Sequence, residues 1–219
     1  QRKVFMTVSE KVAKILLDFN AITLNAKKPF RYTSGMLSPI YTDCRLLISF
    51  PKERNKIIEY QIDAIKNSKI SVDVIAGTAT AGVPWASWIA DSLNLPMIYV
   101  RGSKKDHGKG NQIEGQISKG QKALVVEDLI STGGSSIETA KAIRNNDAYV
   151  SHIFSIVTYG MKVAENNFKK NNIKLVSLTD FKTVTNVAHK NNYIDKKNQK
   201  IILEWAKDPS SWGKKMGFE

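Results

Sequence analysis

The chain has 219 residues and a mass of 24.5 kDa, ample for one domain with a buried core and short for two. Hydrophobic residues make up 42% and charged residues 24%, which excludes global disorder, and the longest uncharged stretch, Val74 to Ala90, is too short and too rich in Gly, Pro, Ser and Thr to span a bilayer. Lys plus Arg is 33 against 20 Asp plus Glu, and the resulting +13 raises the question of a polyanionic partner. The first residue is Gln1 rather than Met, so the natural start is expected to lie upstream. From Thr7 the spacing of Val8, Val12, Ile15, Leu16 and Phe19 predicts an amphipathic helix ending near Asn20, capped by Ser9 or Thr7. Between Ala21 and Ser49, short strand-like pieces broken by Pro29, Gly35 and Pro39 predict an irregular subdomain. Cys44 lies there as the single cysteine, which excludes an internal disulfide and fits a reducing, cytoplasmic setting.

After Pro51 a regular alternation is predicted. It runs helix 52–66, strand 72–76, helix 83–93, strand 97–100, strand 123–126, helix 134–145, strand 150–157, helix 161–171, strand 174–178 and helix 180–190. Apolar strand runs such as Ala123-Leu124-Val125-Val126 between helices indicate a mostly parallel sheet covered on both faces, an α/β fold. Ligands of such sheets bind at the carboxyl ends of strands, so the loops after Ala76, Val100, Val126 and Val157 are the places to seek chemistry.

Three of those loops carry distinctive residues. After Val126 come Glu127-Asp128-Leu129-Ile130-Ser131-Thr132-Gly133-Gly134-Ser135. Amides of Thr132 to Ser135 at a helix N-terminus, with the hydroxyls of Ser131, Thr132 and Ser135, would cradle a phosphate. Two carboxylates beside a phosphate repel it unless they face sugar hydroxyls, so a sugar phosphate satisfies both demands. After Val100, Arg101, Lys104, Lys105, His107 and Lys109 are interleaved with three glycines. This segment suits a mobile basic flap over a highly charged leaving group such as diphosphate, or a solvated basic hairpin. Neither the dinucleotide fingerprint at Gly108 to Glu114 nor the nucleotide-hydrolase loop at Gly115 to Lys122 is complete, because Ile113 and Gln121 replace required residues. The third loop, Gly77 to Pro84, reads equally as an anion nest or as a tight turn chosen for packing. The 27 Lys and 6 Arg are dispersed, which favours a solvated basic surface over a nucleic-acid face, and no nucleic-acid or membrane partner is expected.

Together these motifs resemble the type I phosphoribosyltransferases, and within them the orotate phosphoribosyltransferases. Residues 125–134 are similar to the family's phosphoribosyl diphosphate motif. The segment Pro29 to Tyr41 is similar to the hood that encloses orotate, and Asp106-His107-Gly108 with Asn111 to Gly115 looks like the flap of the orotate enzymes. The likeness runs from about Phe30 to Phe181, and Asp208-Pro209 with Trp212 also looks like the family's C-terminus. It implies one phosphoribosyltransferase domain over 1–219, with the hood mainly in 1–50, the α/β core in about 51–180 and a helical tail in 181–219. The implied reaction transfers the phosphoribosyl group of 5-phosphoribosyl 1-diphosphate to orotate, in pyrimidine biosynthesis. By the same resemblance Lys105, His107 and Asp128 are catalytic. Arg101, Lys105, His107, Glu127, Asp128, Leu129, Ile130, Ser131, Thr132, Gly133, Gly134 and Ser135 bind phosphoribosyl diphosphate, and Ser131 also meets orotate beside Ser34, Gly35 and Tyr41. Magnesium is expected to ride on substrate oxygens rather than in a protein cage, and the flap to reach across a homodimer. Thr33 and Ala81 stand where some relatives carry lysines, Gly102 where some flaps are basic, and Thr158-Tyr159-Gly160 where some carry an Arg for the orotate carboxylate. Hood amides are therefore expected to take more of the orotate recognition. The competing reading is a regulator on the same fold that binds nucleotides and RNA, marked by a basic aromatic face and a degenerate flap; the full Arg101, Lys105, His107 set speaks against it.

Overall fold

The computed structural model describes residues 5–32, 34–102 and 112–218. Helix α1 (Val8–Asp18) begins at a capping box in which Thr7 Oγ1 accepts from Glu10 N–H at 3.2 Å and Glu10 Oε2 accepts from Thr7 N–H at 2.8 Å. Four short strands follow: β1 (Ile22–Leu24), β2 (Phe30–Arg31), β3 (Leu37–Ser38) and β4 (Ile40–Thr42). They pair antiparallel as β1 with β4 and β2 with β3, and a 3₁₀ turn at Cys44–Ser49 leads out of them. This is the hood, and its brevity follows from the prolines and glycine that interrupt every apolar run.

The core alternates as the sequence predicts. Helix α2 (Pro51–Asn67) has Pro at its start, where the missing N–H costs nothing. Then come β5 (Val74–Thr78), α3 (Gly82–Leu93), β6 (Met97–Val100), β7 (Ile113–Glu114), β8 (Lys122–Ile130), α4 (Gly134–Arg144), β9 (Tyr149–Thr158), α5 (Lys162–Lys170) and β10 (Lys174–Asp180). The six strands lie in the order β10-β9-β8-β5-β6-β7, parallel throughout except for β7, which returns antiparallel beside β6. Alternation along β8 supplies both faces. Ala123 and Val125 join the apolar layer beneath α4 and α5, while Leu124 and Val126 join the layer shared with α2 and α3. Each buried Leu, Ile or Phe in these layers contributes about 1.5–3 kcal/mol. Helices α6 (Phe181–Lys190), α7 (Lys196–Trp205) and α8 (Pro209–Lys215) close the hood side. Trp205 Nε1 donates to the Leu37 carbonyl at 3.1 Å, and Gly213 lets α8 lie directly on Leu37.

Two expectations change. The central strand does not stop at Val126 but runs to Ile130, so Glu127 and Asp128 are strand residues rather than loop residues. Pairing with β9 through Leu129↔Val157 and Ile130↔Thr158 extends it, since backbone ladder bonds outweigh the low strand propensity of two acids. The pair β6 and β7 forms an antiparallel edge too short for periodicity to reveal.

Candidate active site

The acid pair sits at the carboxyl end of β8, between β5 and β9. Glu127 is 7% exposed and Asp128 9%. Asp128 N–H donates to Glu127 Oε1 at 3.1 Å and Leu129 N–H donates to Asp128 Oδ1 at 2.8 Å, so local backbone amides hold both carboxylates. Burial pushes the Glu127 carboxyl well above the usual carboxylate range, and the charge of Asp128 beside it adds to the rise. Burial also raises Asp128, against the hydrogen bond to Glu127, nearby backbone amides and the Arg45 guanidinium, all of which lower it. Both carboxyls are thus shifted upward, Glu127 further than Asp128, and burial is the first cause for each. Thr78 Oγ1, buried at the end of β5, favours the ionised form of Glu127 from close by while lacking a partner in hydrogen-bond geometry. An unmet hydroxyl next to two desolvated carboxylates is a site built for a polar ligand.

Directly after β8 the chain turns through Ser131, Thr132 and Gly133 into α4. Gly133 has φ +78°, and a Cβ there would lie 2.6 Å from the Phe168 ring, so only glycine fits. No side chain caps α4, which leaves its first amides and positive dipole end facing out beside the half-buried Ser131 and exposed Thr132, Gly134 and Ser135. Asn167 of α5 donates to the Thr132 carbonyl at 3.2 Å and steadies the turn.

Packing accounts for both glycines of the Gly77 loop. A Cβ on Gly77 would lie 2.9 Å from Val83 Cα, and one on Gly82 only 2.5 Å from the Val126 carbonyl oxygen. Small residues here let α3 start against the acid-bearing strand. Ala79 N–H is spent on the Val100 carbonyl at 2.9 Å, so it does not serve an anion. A cleft of about 510 Å³ opens beside this loop, lined by Ala79, Thr80, Val83, Tyr99, Arg101 and Glu114. Arg101 reaches Glu114 at 3.5 Å across the β6–β7 edge. A larger cleft of about 690 Å³ runs along α5 and β10, but neither Glu127 nor Asp128 lines it. Lys105 and His107 lie outside the described residues, as does Thr33.

The hood reaches the same end of the sheet. Ser34 and Gly35 form the exposed turn between β2 and β3, with Gly35 at φ +87°, while Tyr41 on β4 is half exposed and packs on Phe30 at 5.6 Å. Cys44 is fully buried beside the acids, and burial, with Asp128 next, pushes its thiol well up. Arg45 holds Asp43 through Nε at 2.7 Å and Nη2 at 3.0 Å and also feels the charge of Asp128. Sequence reasoning missed Thr78 and Arg45; an Asp-X-Arg spacing before a turn is the single signal that could have drawn notice to Arg45. Among the described residues, no three His, Cys, Asp or Glu side chains converge as a metal cluster.

A phosphoribosyl transferase domain model matches residues 50–193 of this chain. It is 49% identical over 207 residues to an orotate phosphoribosyltransferase of Enterococcus faecalis, covering 94% of this chain and 99% of that one. The chain belongs to the orotate phosphoribosyltransferase family. A Bacillus subtilis member is 47% identical over 206 residues, covering 93% of this chain and 95% of that one. Among solved structures, an Aeropyrum pernix orotate phosphoribosyltransferase superposes with a TM-score of 0.73 at 28% identity, covering 84% of this chain and 99% of that one. Leishmania donovani UMP synthase gives 0.78 at 25% identity, covering 92% of this chain and 42% of that longer one. The architecture is thus the type I phosphoribosyltransferase fold, its mostly parallel sheet flanked by helices. No helix among the described residues is long and apolar enough to cross a membrane.

Proposed function

We propose that this protein transfers the phosphoribosyl group of 5-phosphoribosyl 1-diphosphate to orotate, giving orotidine 5'-monophosphate and diphosphate, a step of pyrimidine biosynthesis. The observation that carries the reading is the buried pair Glu127 and Asp128 immediately before an uncapped helix N-terminus. In the reaction the bond from the anomeric carbon to diphosphate breaks as the bond to the orotate ring nitrogen forms. Positive charge grows on the ribose in between. Asp128 and Glu127 face the ribose hydroxyls and favour that charge, because preorganised carboxylates in a dry site act strongly and need no reorganisation. Leu129 and Ile130 lead into the turn whose backbone amides and hydroxyls, from Ser131 to Ser135, wrap the 5'-phosphate, Ser131 also facing the base. Arg101, Lys105 and His107 hold the diphosphate, reaching into the partner site of a homodimer. The hood residues Ser34, Gly35 and Tyr41 border orotate.

Magnesium fits this donor set as a substrate-borne ion: two adjacent carboxylates can accept bonds from a diol or a metal-bound water, and no cluster of three ligand side chains among the described residues forms a cage of its own. The ion supplies charge neutralisation of the diphosphate as it departs. The test is the ultraviolet signal of orotate mixed with phosphoribosyl diphosphate and magnesium. Steady loss of that signal is the expected result. An unchanged signal together with salt-sensitive RNA binding would replace this reading with the regulatory one. The homodimer has its own test. Lys105→Ala and Asp128→Asn proteins, each inactive, should regain about a quarter of wild-type activity after random subunit exchange, because half the dimers then hold one intact site. Confirmed heterodimers with no regained activity would place Lys105 in its own subunit's site.

A further inference from the structure

Hood and phosphate cradle meet at one side chain. Tyr159 follows β9 at the carboxyl edge of the sheet, buried, with its ring edge-on to Trp205 at 5.5 Å and Phe181 at 6.3 Å. Its backbone N–H donates to the Ile130 carbonyl at 2.8 Å, one residue before Ser131. Its phenol oxygen lies 3.0 Å from Thr42 Oγ1 on β4 and 3.1 Å from Tyr32 Oη at the base of the hood hairpin. Tyr32 Oη also donates to the Ile40 carbonyl at 2.7 Å. Tyr32 shapes the turn above it as well, donating its N–H to the Met36 carbonyl at 2.9 Å and accepting from Gly35 N–H at 2.8 Å. One residue thus touches the cradle through its backbone and both hood ribbons through its hydroxyl.

We propose that Tyr159 is a positioning residue that sets the hood wall of the orotate pocket against the phosphate cradle. The inference rests on the reading that the hood borders orotate. Tyr159 acts through Tyr32 and Thr42, since its hydroxyl is spent on them and its ring is enclosed. Burial, with Tyr32 next to it, pushes the phenol far up, so it stays a neutral hydrogen-bonding group at every working pH. Where some relatives place a charged Arg to bind the orotate carboxylate, this chain places a strut that shapes the wall instead.

Tyr159→Phe keeps the ring packing and removes only the hydroxyl. The orotate KM should rise about fivefold, the size expected of one lost hydrogen bond, with kcat at saturating orotate and the KM for phosphoribosyl diphosphate within about twofold of wild type. Tyr32→Phe should give the same split, and the double variant should add little to either, because the two hydroxyls form one chain. Hydrogen exchange supplies a readout independent of activity: amides of Gly35 and Tyr32 should exchange faster in Tyr159→Phe while those of β8 stay as protected as in wild type. An unchanged orotate KM, an equal rise in both KM values, or unaltered exchange in the hood would overturn the proposal. If the wild-type protein fails to consume orotate, the proposed function falls and the exchange result alone decides the role of Tyr159. Should Tyr159→Phe fold poorly, Thr42→Val breaks the same chain from the hood side and is held to the same outcomes.

Discussion

Strand β8 is paired with β5 as far as Val126 and with β9 as far as Ile130, and the side chains leading to its carboxyl end are clamped between two apolar layers. The hood has strands of two or three residues and meets the core through phenol, hydroxyl and indole hydrogen bonds. One half of the site is therefore carried on long paired strands, and the other on short ribbons that combine buried residues such as Ile22, Leu37, Ile40 and Leu47 with polar links of about 1 kcal/mol each. On the proposed function, the charge that must stay fixed sits on the first, and the wall bordering orotate is made of the second.

The sharpest way to break this contrast is Gly82→Val. The new side chain meets the Val126 carbonyl at 2.5 Å and Glu127 Cα at 3.3 Å, backbone that cannot swing away. Stability should fall by at least about 3 kcal/mol in urea unfolding, with activity lost. A small change would mean that α3 slides freely and that the rigid half is less rigid than its packing indicates. Asp128→Asn comes next: turnover should drop at least about tenfold, roughly 1.4 kcal/mol of transition-state stabilisation, with the melting temperature kept or raised because a buried charge is removed. Normal turnover would take Asp128 out of the chemistry. Gly133→Ala should cost about 1–2 kcal/mol, from a positive φ and the Phe168 ring, and raise the KM for phosphoribosyl diphosphate more than that for orotate. Phe168→Leu in the same chain should return part of the stability.

The smallest effect is read from pH. Glu127 keeps its proton in the folded protein over a range where the unfolded chain, with an ordinary value of 4.5, has released it. The folded state then binds more protons, so this group's contribution to stability falls as pH rises from about 4.5 through the raised folded value. Asp43, held low chiefly by the Arg45 side chain, works in the opposite sense at more acid pH. Glu127→Gln should flatten only the first slope, so the melting difference between wild type and variant should grow against wild type as pH increases. A constant difference would show that Glu127 titrates normally.

The packed half was largely legible in the sequence. Periodicity located α2 to α6 and their strands to within a few residues, because both faces of the sheet demand unbroken apolar runs. It cut β8 short at Val126, since a rule based on apolar runs reads acids as the start of a loop even where ladder bonds carry them on. The turn from β8 into α4 was recognisable from its glycines and hydroxyls. The hood was legible only as irregular, and its attachments were not legible at all. Tyr159 and Tyr32 are 127 positions apart and Tyr159 and Thr42 are 117, and a hydroxyl contact between them leaves no period in the chain. Arg45 escaped for the same reason: its field at Asp128 depends on how the 3₁₀ turn folds back over β8.

Trp205 gives the Leu37 carbonyl its hydrogen-bond donor from 168 positions downstream, and Gly213 seats α8 on the same leucine. During synthesis the hood emerges first and waits while the whole α/β core is made. The indole link to Leu37 and the seat under α8 are complete only once α7 and α8 have been made, after every strand of the sheet. Shortening the chain before Trp205 should therefore loosen the hood more than the sheet, which hydrogen exchange across the hood and along β8 would read.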